Sequence, residues 1–436
     1  MPEDTIVGFR LSAQQERLWA QQQIFGVTHF KSQCAISLTG VVEPSKLSTA
    51  LSEVVARHEI LRTVFQRQPG LKIPFQVILQ TLAIDFQRVD LSALEWAGQK
   101  QELERLLNQP HLAGDNLEYG PILEASLIRL GFDHSALILR LPALSSDRHA
   151  LETLVEALGQ HYAGATPRED FMQYADVVEW QRELRESEET KAGRNFWGRY
   201  CRKIHCDVST ALPMASKAEA TIFCPALFER ELASQLASEI KTESARLDAT
   251  VKELLFAALN VLVWRLAGVH AAIGCGMDGR KYQELEGTVG LLDTFLPLQV
   301  EFASDASFQA IVRQTHSTYG ELAEWQESFS WDWAKENSAS ESPMLPLLFE
   351  FTRRPDPKSY GNVVISWLNH YSLIEAFLLK LVAVDTECGL SLEFHYDSSR
   401  LSAASVAQIA SYFETLLQAA VAASSTPVSR LPLLNA

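Results

Sequence analysis

Between residues 142 and 149 the chain reads Pro142-Ala143-Leu144-Ser145-Ser146-Asp147-Arg148-His149, and several of these side chains could do chemistry. The hydroxyls of Ser145 and Ser146 could hydrogen-bond a substrate carbonyl or amine, and the His149 ring could transfer a proton near neutral pH. Each group also has a plainer use. Serines in such a loop cap the following helix or satisfy loop backbone. Asp147 is a good N-cap, and His149 falls in the first helical turn, where it packs or faces solvent. His58 and His134 read as structural. Other chemistries lack a motif. The chain has no Gly-rich phosphate loop, no H-E-x-x-H, no clustered His/Cys ligands for a metal and no G-x-S-x-G elbow.

A strand and a helix must position that stretch. The apolar run 136–141 predicts the strand. Ala150, Leu151, Leu154, Val155 and Leu158 repeat at helical spacing, so a helix runs from Asp147 to about Tyr162. Upstream, Ser12 and Gln15 form a capping-box pattern that opens a helix to about Gln23. Pro44 starts a second helix, whose buried face carries Leu47, Ala50, Leu51, Val54, Val55 and His58. A short strand over 61–65 follows. The segment 164–170 reads as a linker, and the charged run 182–194 as a solvated helix. Further on, Asp248 and Thr250 open an apolar helix that ends at Gly268. Strands are predicted at 271–275, 296–302 and 345–352, a helix at 307–326, a hairpin over 379–396 turning near Gly389, and a last helix over 402–423. Strands alternating with helices predict an α/β layered fold.

Composition narrows the function classes. The 436 residues suggest two or three domains. Charged residues make up 21% and hydrophobic ones 47%, an ordinary globular balance. The formal net charge of −16 argues against non-specific binding to nucleic acid or to anionic membranes. No signal peptide and no apolar run of membrane-spanning length is read. Cys34, Cys201, Cys206, Cys224, Cys275 and Cys388 are scattered, without a C-x-x-C, which fits reduced cytoplasmic thiols better than disulfides or a zinc site.

Four short segments, in order, say more. These are Ser12-Ala13-Gln14-Gln15-Glu16-Arg17-Leu18-Trp19, then Arg57-His58-Glu59-Ile60-Leu61-Arg62-Thr63-Val64-Phe65, then Tyr174-Ala175-Asp176-Val177-Val178-Glu179-Trp180-Gln181, then Asp278-Gly279-Arg280 followed by Val289-Gly290 and Leu296-Pro297-Leu298. Together they resemble the core motifs of condensation domains of nonribosomal peptide synthetases, over essentially the whole chain. The resemblance implies two chloramphenicol-acetyltransferase-like lobes in a V-shaped pseudo-dimer, with a tunnel between the lobes. It implies an N-terminal lobe over 1–170, a junction over 171–181 and a C-terminal lobe over 182–425. A covering segment at about 278–298 would reach across to the first lobe, placing Arg280, Thr294, Phe295 and Pro297 along the tunnel. Residues 426–436 would be a linker toward a downstream adenylation domain, and the chain would begin a larger synthetase.

The family signature H-H-x-x-x-D-G falls on Pro142 to Arg148, and only Asp147 matches. Pro142 and Ala143 take the histidine positions and Arg148 the glycine. The second histidine of the family is thought to orient or deprotonate the attacking amine, which Ala143 cannot do. A general base is typically worth about 10²–10⁴-fold, whereas positioning contributes up to roughly 7–11 kcal/mol of barrier. An α-amine with a pKa near about 8 is already partly neutral at pH 7. The family aspartate also pairs with the arginine after the second helix, so the resemblance implies an Arg62–Asp147 ion pair beneath the tunnel.

Two functions follow from the resemblance and remain open at this point. One is a condensation-type domain that docks carrier-bound thioesters with impaired catalysis. The other is an active enzyme that forms an amide, or runs an altered reaction, by tunnel positioning. A free-standing acyltransferase fits less well, because it would need the missing histidine. The implied partners are donor and acceptor peptidyl carrier domains, whose phosphopantetheine arms are substrates, and an adenylation domain. No tightly bound cofactor is expected, and the protein is read as a cytoplasmic monomer.

Overall fold

The structure is a computed structural model describing residues 8–26, 29–109, 117–166, 170–204, 212, 214–216, 223–331, 345–387 and 389–434. The chain opens with β1 (Gly8–Phe9), α1 (Ala13–Phe25), β2 (Lys31–Thr39), α2 (Pro44–Arg57), β3 (Thr63–Gln66), β4 (Phe75–Ile78), β5 (Asp85–Asp90) and α3 (Trp96–Leu107). Next come β6 (Glu124–Arg129), β7 (His134–Pro142), α4 (Arg148–Ala163), α5 (Tyr174–Glu186), α6 (Lys191–Tyr200), β8 (Pro225–Glu231), α7 (Ser234–Arg246) and α8 (Val251–Ala267). The remainder is β9 (Ile273–Met277), β10 (Thr294–Leu298), α9 (Phe308–Glu324), β11 (Leu347–Arg353), β12 (Lys358–Tyr360), β13 (Val363–Ser372), β14 (Leu379–Thr386), β15 (Gly389–Asp397) and α10 (Ala403–Ala422).

Two compact units result. The first takes residues Met1–Leu184, Asp278–Asp293 and Pro355–Glu375, and the second takes the rest. Asp278–Asp293, inside the segment expected to reach across from 182–425, groups with the first unit, and so does Pro355–Glu375, which was not expected there. The reason is strand pairing. β13 completes an antiparallel ladder along β2, from Val364 opposite Thr39 to Ser372 opposite Ser32, and β12 then pairs with β13. The first unit's sheet runs β12-β13-β2-β7-β6-β5, beside a small sheet β1-β4-β3. Ala35, Ile128, Ala136 and Ile138 pack under Leu106 of α3, and α4 lies along α2, β2 and β13.

The local signals explain most element ends. Ser12 and Gln15 form the reciprocal capping box of α1, and Pro44 takes the first turn of α2. The 61–65 strand begins later than expected, because Glu59–Arg62 winds into a 3-10 turn first.

In the second unit the sheet order is β10-β9-β11-β14-β15-β8. α8 is closed by a Thr250–Glu253 capping box at one end and by left-handed Gly268 at the other. Its Leu254–Val263 stretch is buried throughout, as a core helix should be. The segment expected as a linker is packed down: Val428 and Leu431 are buried, and Arg265 donates to both their carbonyls at 3.0 and 2.7 Å. Cys34, Cys201, Cys224 and Cys275 are unbridged thiols; Cys206 and Cys388 lie outside the described residues. Among the described residues no helix is long and apolar enough to cross a membrane.

Candidate functional site

β7 delivers the 142–148 loop and α4 receives it, so both ends are fixed. The Ala143 amide donates to the Phe30 carbonyl at 3.2 Å, and Ala143–Ser145 form one 3-10 turn. Every residue from Ala143 to Arg148 is buried. α1 braces the turn: Gln15, already half of the capping box, donates Nε2 to the Leu144 carbonyl at 2.8 Å and to Gln76 at 3.1 Å. The first sequence motif thus acts on the loop through a side-chain amide.

Asp147 is saturated. Its Oδ1 accepts from the Ala150 amide at 2.8 Å, which makes it the N-cap of α4. Arg280 donates Nη1 to Oδ2 at 2.9 Å and Nη2 to Oδ1 at 3.0 Å. The amides of Leu292 and Asp293 add bonds to Oδ2 at 2.7 and 3.0 Å. Burial alone would raise its pKa, but the Arg280 guanidinium outweighs that and the carboxyl lies below its ordinary value. Asp147 is a fixed anion whose two oxygens already accept five N–H donors, leaving no lone pair free to take up a proton.

The expected Arg62–Asp147 pair does not form. Arg62 donates to the Leu79 carbonyl at 2.5 Å and to Glu59 at 3.2 Å, held aside by the 3-10 turn it belongs to. Arg280 takes the role because of the triplet around it. The Asp278 carboxylate accepts from the Arg280 amide at 3.0 Å, closing a turn. A Cβ at position 279 would stand 2.3 Å from the Leu292 carbonyl oxygen, so the close approach of these two backbones requires Gly279. Arg280 then crosses inward and also donates to the carbonyls of Thr288 and Gly290. Burial opposes its charge, but Asp147 and Asp293 hold its pKa above the ordinary value.

His149 stands beside this pair. Its Nδ1 lies 3.4 Å from Asp293 and its Nε2 3.7 Å from Asp278. Burial pulls the imidazole down, yet the two carboxylates outweigh it and raise its pKa to about 9. Asp293, buried near Asp147, is itself pushed up to about 6. His149, Asp278 and Asp293 each offer a ligand atom within 4.8 Å of the others. Arg280 already sits 3.4 and 3.6 Å from the two carboxylates, so we read the group as an ion-pair cluster. Asp293 carries no sequence signal that would have found it.

The remaining loop residues divide. Ser146 donates to the Pro142 carbonyl at 3.4 Å, and its own carbonyl accepts from Ser32. The buried Ser145 hydroxyl has no hydrogen-bond partner among the described residues. Arg148 donates to the His370 carbonyl at 3.2 Å, and His370 Nε2 donates back to the Arg148 carbonyl at 2.9 Å. Thr294, Phe295 and Pro297 belong to the second unit, on β10, whereas Arg280 belongs to the first. β10 is an edge strand, which is where a proline without an amide hydrogen is tolerated. The Phe295 ring lies under the Lys380 ammonium at 5.4 Å.

The family profile for the condensation domain matches residues 8–436. The chain belongs to the condensation-domain family. Its similarity to a linear gramicidin synthase of Brevibacillus parabrevis is 25% identity over 98% of this chain. The chain spans only 9% of that relative's length. In fold it is similar to the condensation domain of the monacolin K polyketide synthase MokA, with a TM-score of 0.83 and 20% identity, covering 97% of this chain and 99% of that one. It is also similar to the X-domain solved in complex with OxyB from teicoplanin biosynthesis, with a TM-score of 0.80 and 18% identity, covering 100% and 97%. The condensation domain therefore consists of two chloramphenicol-acetyltransferase-like halves, each a mixed α/β layer.

Proposed function

We propose that this chain is a condensation-type domain of a nonribosomal peptide synthetase that docks carrier-bound thioesters while base-assisted amide formation is impaired. The observation that carries the proposal is the proton inventory of the loop. Ala143 offers no titratable atom, Asp147 is saturated by five N–H donors, and His149 is held protonated at neutral pH. A protonated imidazole cannot take a proton from an amine. Loss of the base alone slows such a step by about 10²–10⁴-fold. The proposed partners are donor and acceptor carrier domains, presenting substrates on phosphopantetheine arms, and an adenylation domain. The multidomain size of the gramicidin relative and the fold's use in a two-protein complex support a docking role.

A second reading keeps the domain active through positioning, and Ser145 favours it. Its buried, unpartnered hydroxyl is available to hydrogen-bond a substrate carbonyl or amine. Intact-protein mass spectrometry of loaded donor and acceptor carriers, with and without the domain, separates the two. The docking reading expects carrier binding and no condensed product above the background. Product formed only with the domain present, and reduced by Ser145→Ala, establishes the second reading instead.

A further inference from the structure

Arg62 closes the second sequence motif, and with Arg280 holding Asp147 it has no part in the loop. It lines a cavity of about 310 Å³ instead, within the first unit, between α2 and residues 80–86 that lead into β5. That volume lies at the lower end of the range for small-molecule sites, about 300–1,000 Å³. None of its lining residues belongs to the 142–148 loop. The helical repeat of α2 builds one wall, with Leu51, Val55 and Ala56 on a shared face. Leu82, Ile84 and Phe86 supply apolar surface on the other side.

The charge of the wall comes from one side chain. Arg62 is the only ionisable group among the described residues that line the cavity. Its guanidinium makes two bonds there, Nη1 to the Leu79 carbonyl and Nη2 to Glu59 at 3.2 Å. Of its five N–H groups, three are left without a partner among the described residues. Nε is one of these, and it is not sealed from solvent; the side chain as a whole is 17% exposed. Glu59 offsets part of the charge from outside the cavity, through one nitrogen and with a third of its own side chain in solvent. Inside the cavity an ammonium ion meets a cation and no carboxylate. A carboxylate meets free N–H groups of a guanidinium, the donor set that matches its two oxygens.

We propose that this cavity binds a small aliphatic carboxylate. The carboxylate accepts from Arg62, and the hydrocarbon tail packs between Leu51 and Val55 on one side and Leu82, Ile84 and Phe86 on the other. The test is isothermal titration calorimetry at neutral pH on the whole domain, with three probes sharing one tail: hexanoate, neutral hexanamide and cationic hexylamine. Hexanoate is expected to bind at least about threefold more tightly than hexanamide, and hexylamine more weakly than either. Arg62→Gln is expected to erase the preference for hexanoate over hexanamide. Glu59→Gln removes the competing carboxylate and is expected to tighten hexanoate by about twofold or more. Ala56→Trp, at an exposed helix position, fills the cavity without touching Arg62 and is expected to weaken all three probes, which keeps the test open should Arg62→Gln disturb the fold. Equal binding of hexanoate and hexanamide overturns the proposal. So does no binding of hexanoate up to about 10 mM, or hexanoate binding that a folded Arg62→Gln or Ala56→Trp variant leaves unchanged.

Discussion

The two terminal nitrogens of Arg280 hold the two oxygens of Asp147, at 2.9 and 3.0 Å, in a pair almost wholly removed from solvent. Truncating one side of such a pair strands a buried charge. Arg280→Ala is expected to cost about 3–5 kcal/mol in chemical denaturation. Arg62→Ala gives up a contact with partly exposed Glu59 and one with the Leu79 carbonyl, a loss of about 1 kcal/mol. Equal losses, or the reverse order, would refute this assignment of the partner.

Protonated His149 stabilises the fold through Asp293 and Asp278. Its folded pKa of about 9 lies above the ordinary 6.5. The folded state therefore binds the proton more tightly than the unfolded one. This contribution is complete below about pH 6.5 and is lost as the pH rises through about 9. Melting temperature should fall across that window in the wild type, and His149→Gln should flatten the fall. An NMR titration of the His149 ring with its midpoint near 6.5 would contradict the arrangement.

Gly290 makes a steric prediction. A Cβ there would stand 2.0 Å from the Tyr174 ring. That ring cannot swing away easily, because its hydroxyl donates to the Leu291 carbonyl and bonds Ser12 Oγ, both at 2.9 Å. Gly290→Ala is expected to destabilise by about 1–3 kcal/mol. Combined with Tyr174→Ala it should cost clearly less than the sum of the two single changes, since the clash is then relieved. Strict additivity in thermal or denaturant unfolding would show that the two residues do not meet.

Helix starts were legible because their causes are local. Ser12, Thr250 and Asp147 each accept from an amide three residues on. What escaped was long-range pairing. Nothing in the composition of 363–372 says that it will extend the edge of β2, because an alternating strand pattern names no partner. The same limit explains the arginine. Arg62 and Arg280 both follow recognisable motifs, and the choice between them depends on the close approach of Leu292 to Gly279. The proton inventory was half visible. Ala143 could be read from sequence, whereas the raised His149 pKa needed Asp293, which sits far along the chain with no motif to mark it.

Rebuilding the loop tests whether a histidine at position 143, where the resemblance puts the family's second histidine, speeds catalysis. Ala143 is buried and its amide is tied to Phe30, so an imidazole introduced there inherits a fixed backbone position. The single change Ala143→His leaves the buried Arg148 side chain in place, bonded to the His370 carbonyl. In the triple replacement of Pro142, Ala143 and Arg148 by His, His and Gly, that bond goes. The return bond from His370 to the residue-148 carbonyl needs only backbone, so the loop's tie to β13 survives. With loaded carriers, the triple variant is expected to form condensed product about 10²–10⁴-fold faster than wild type, and Ala143→His alone to give less. Thermal melting and carrier binding establish beforehand that the variant is folded and competent to dock. A folded, carrier-binding triple variant that yields no product would show that Ala143 is not what blocks the reaction.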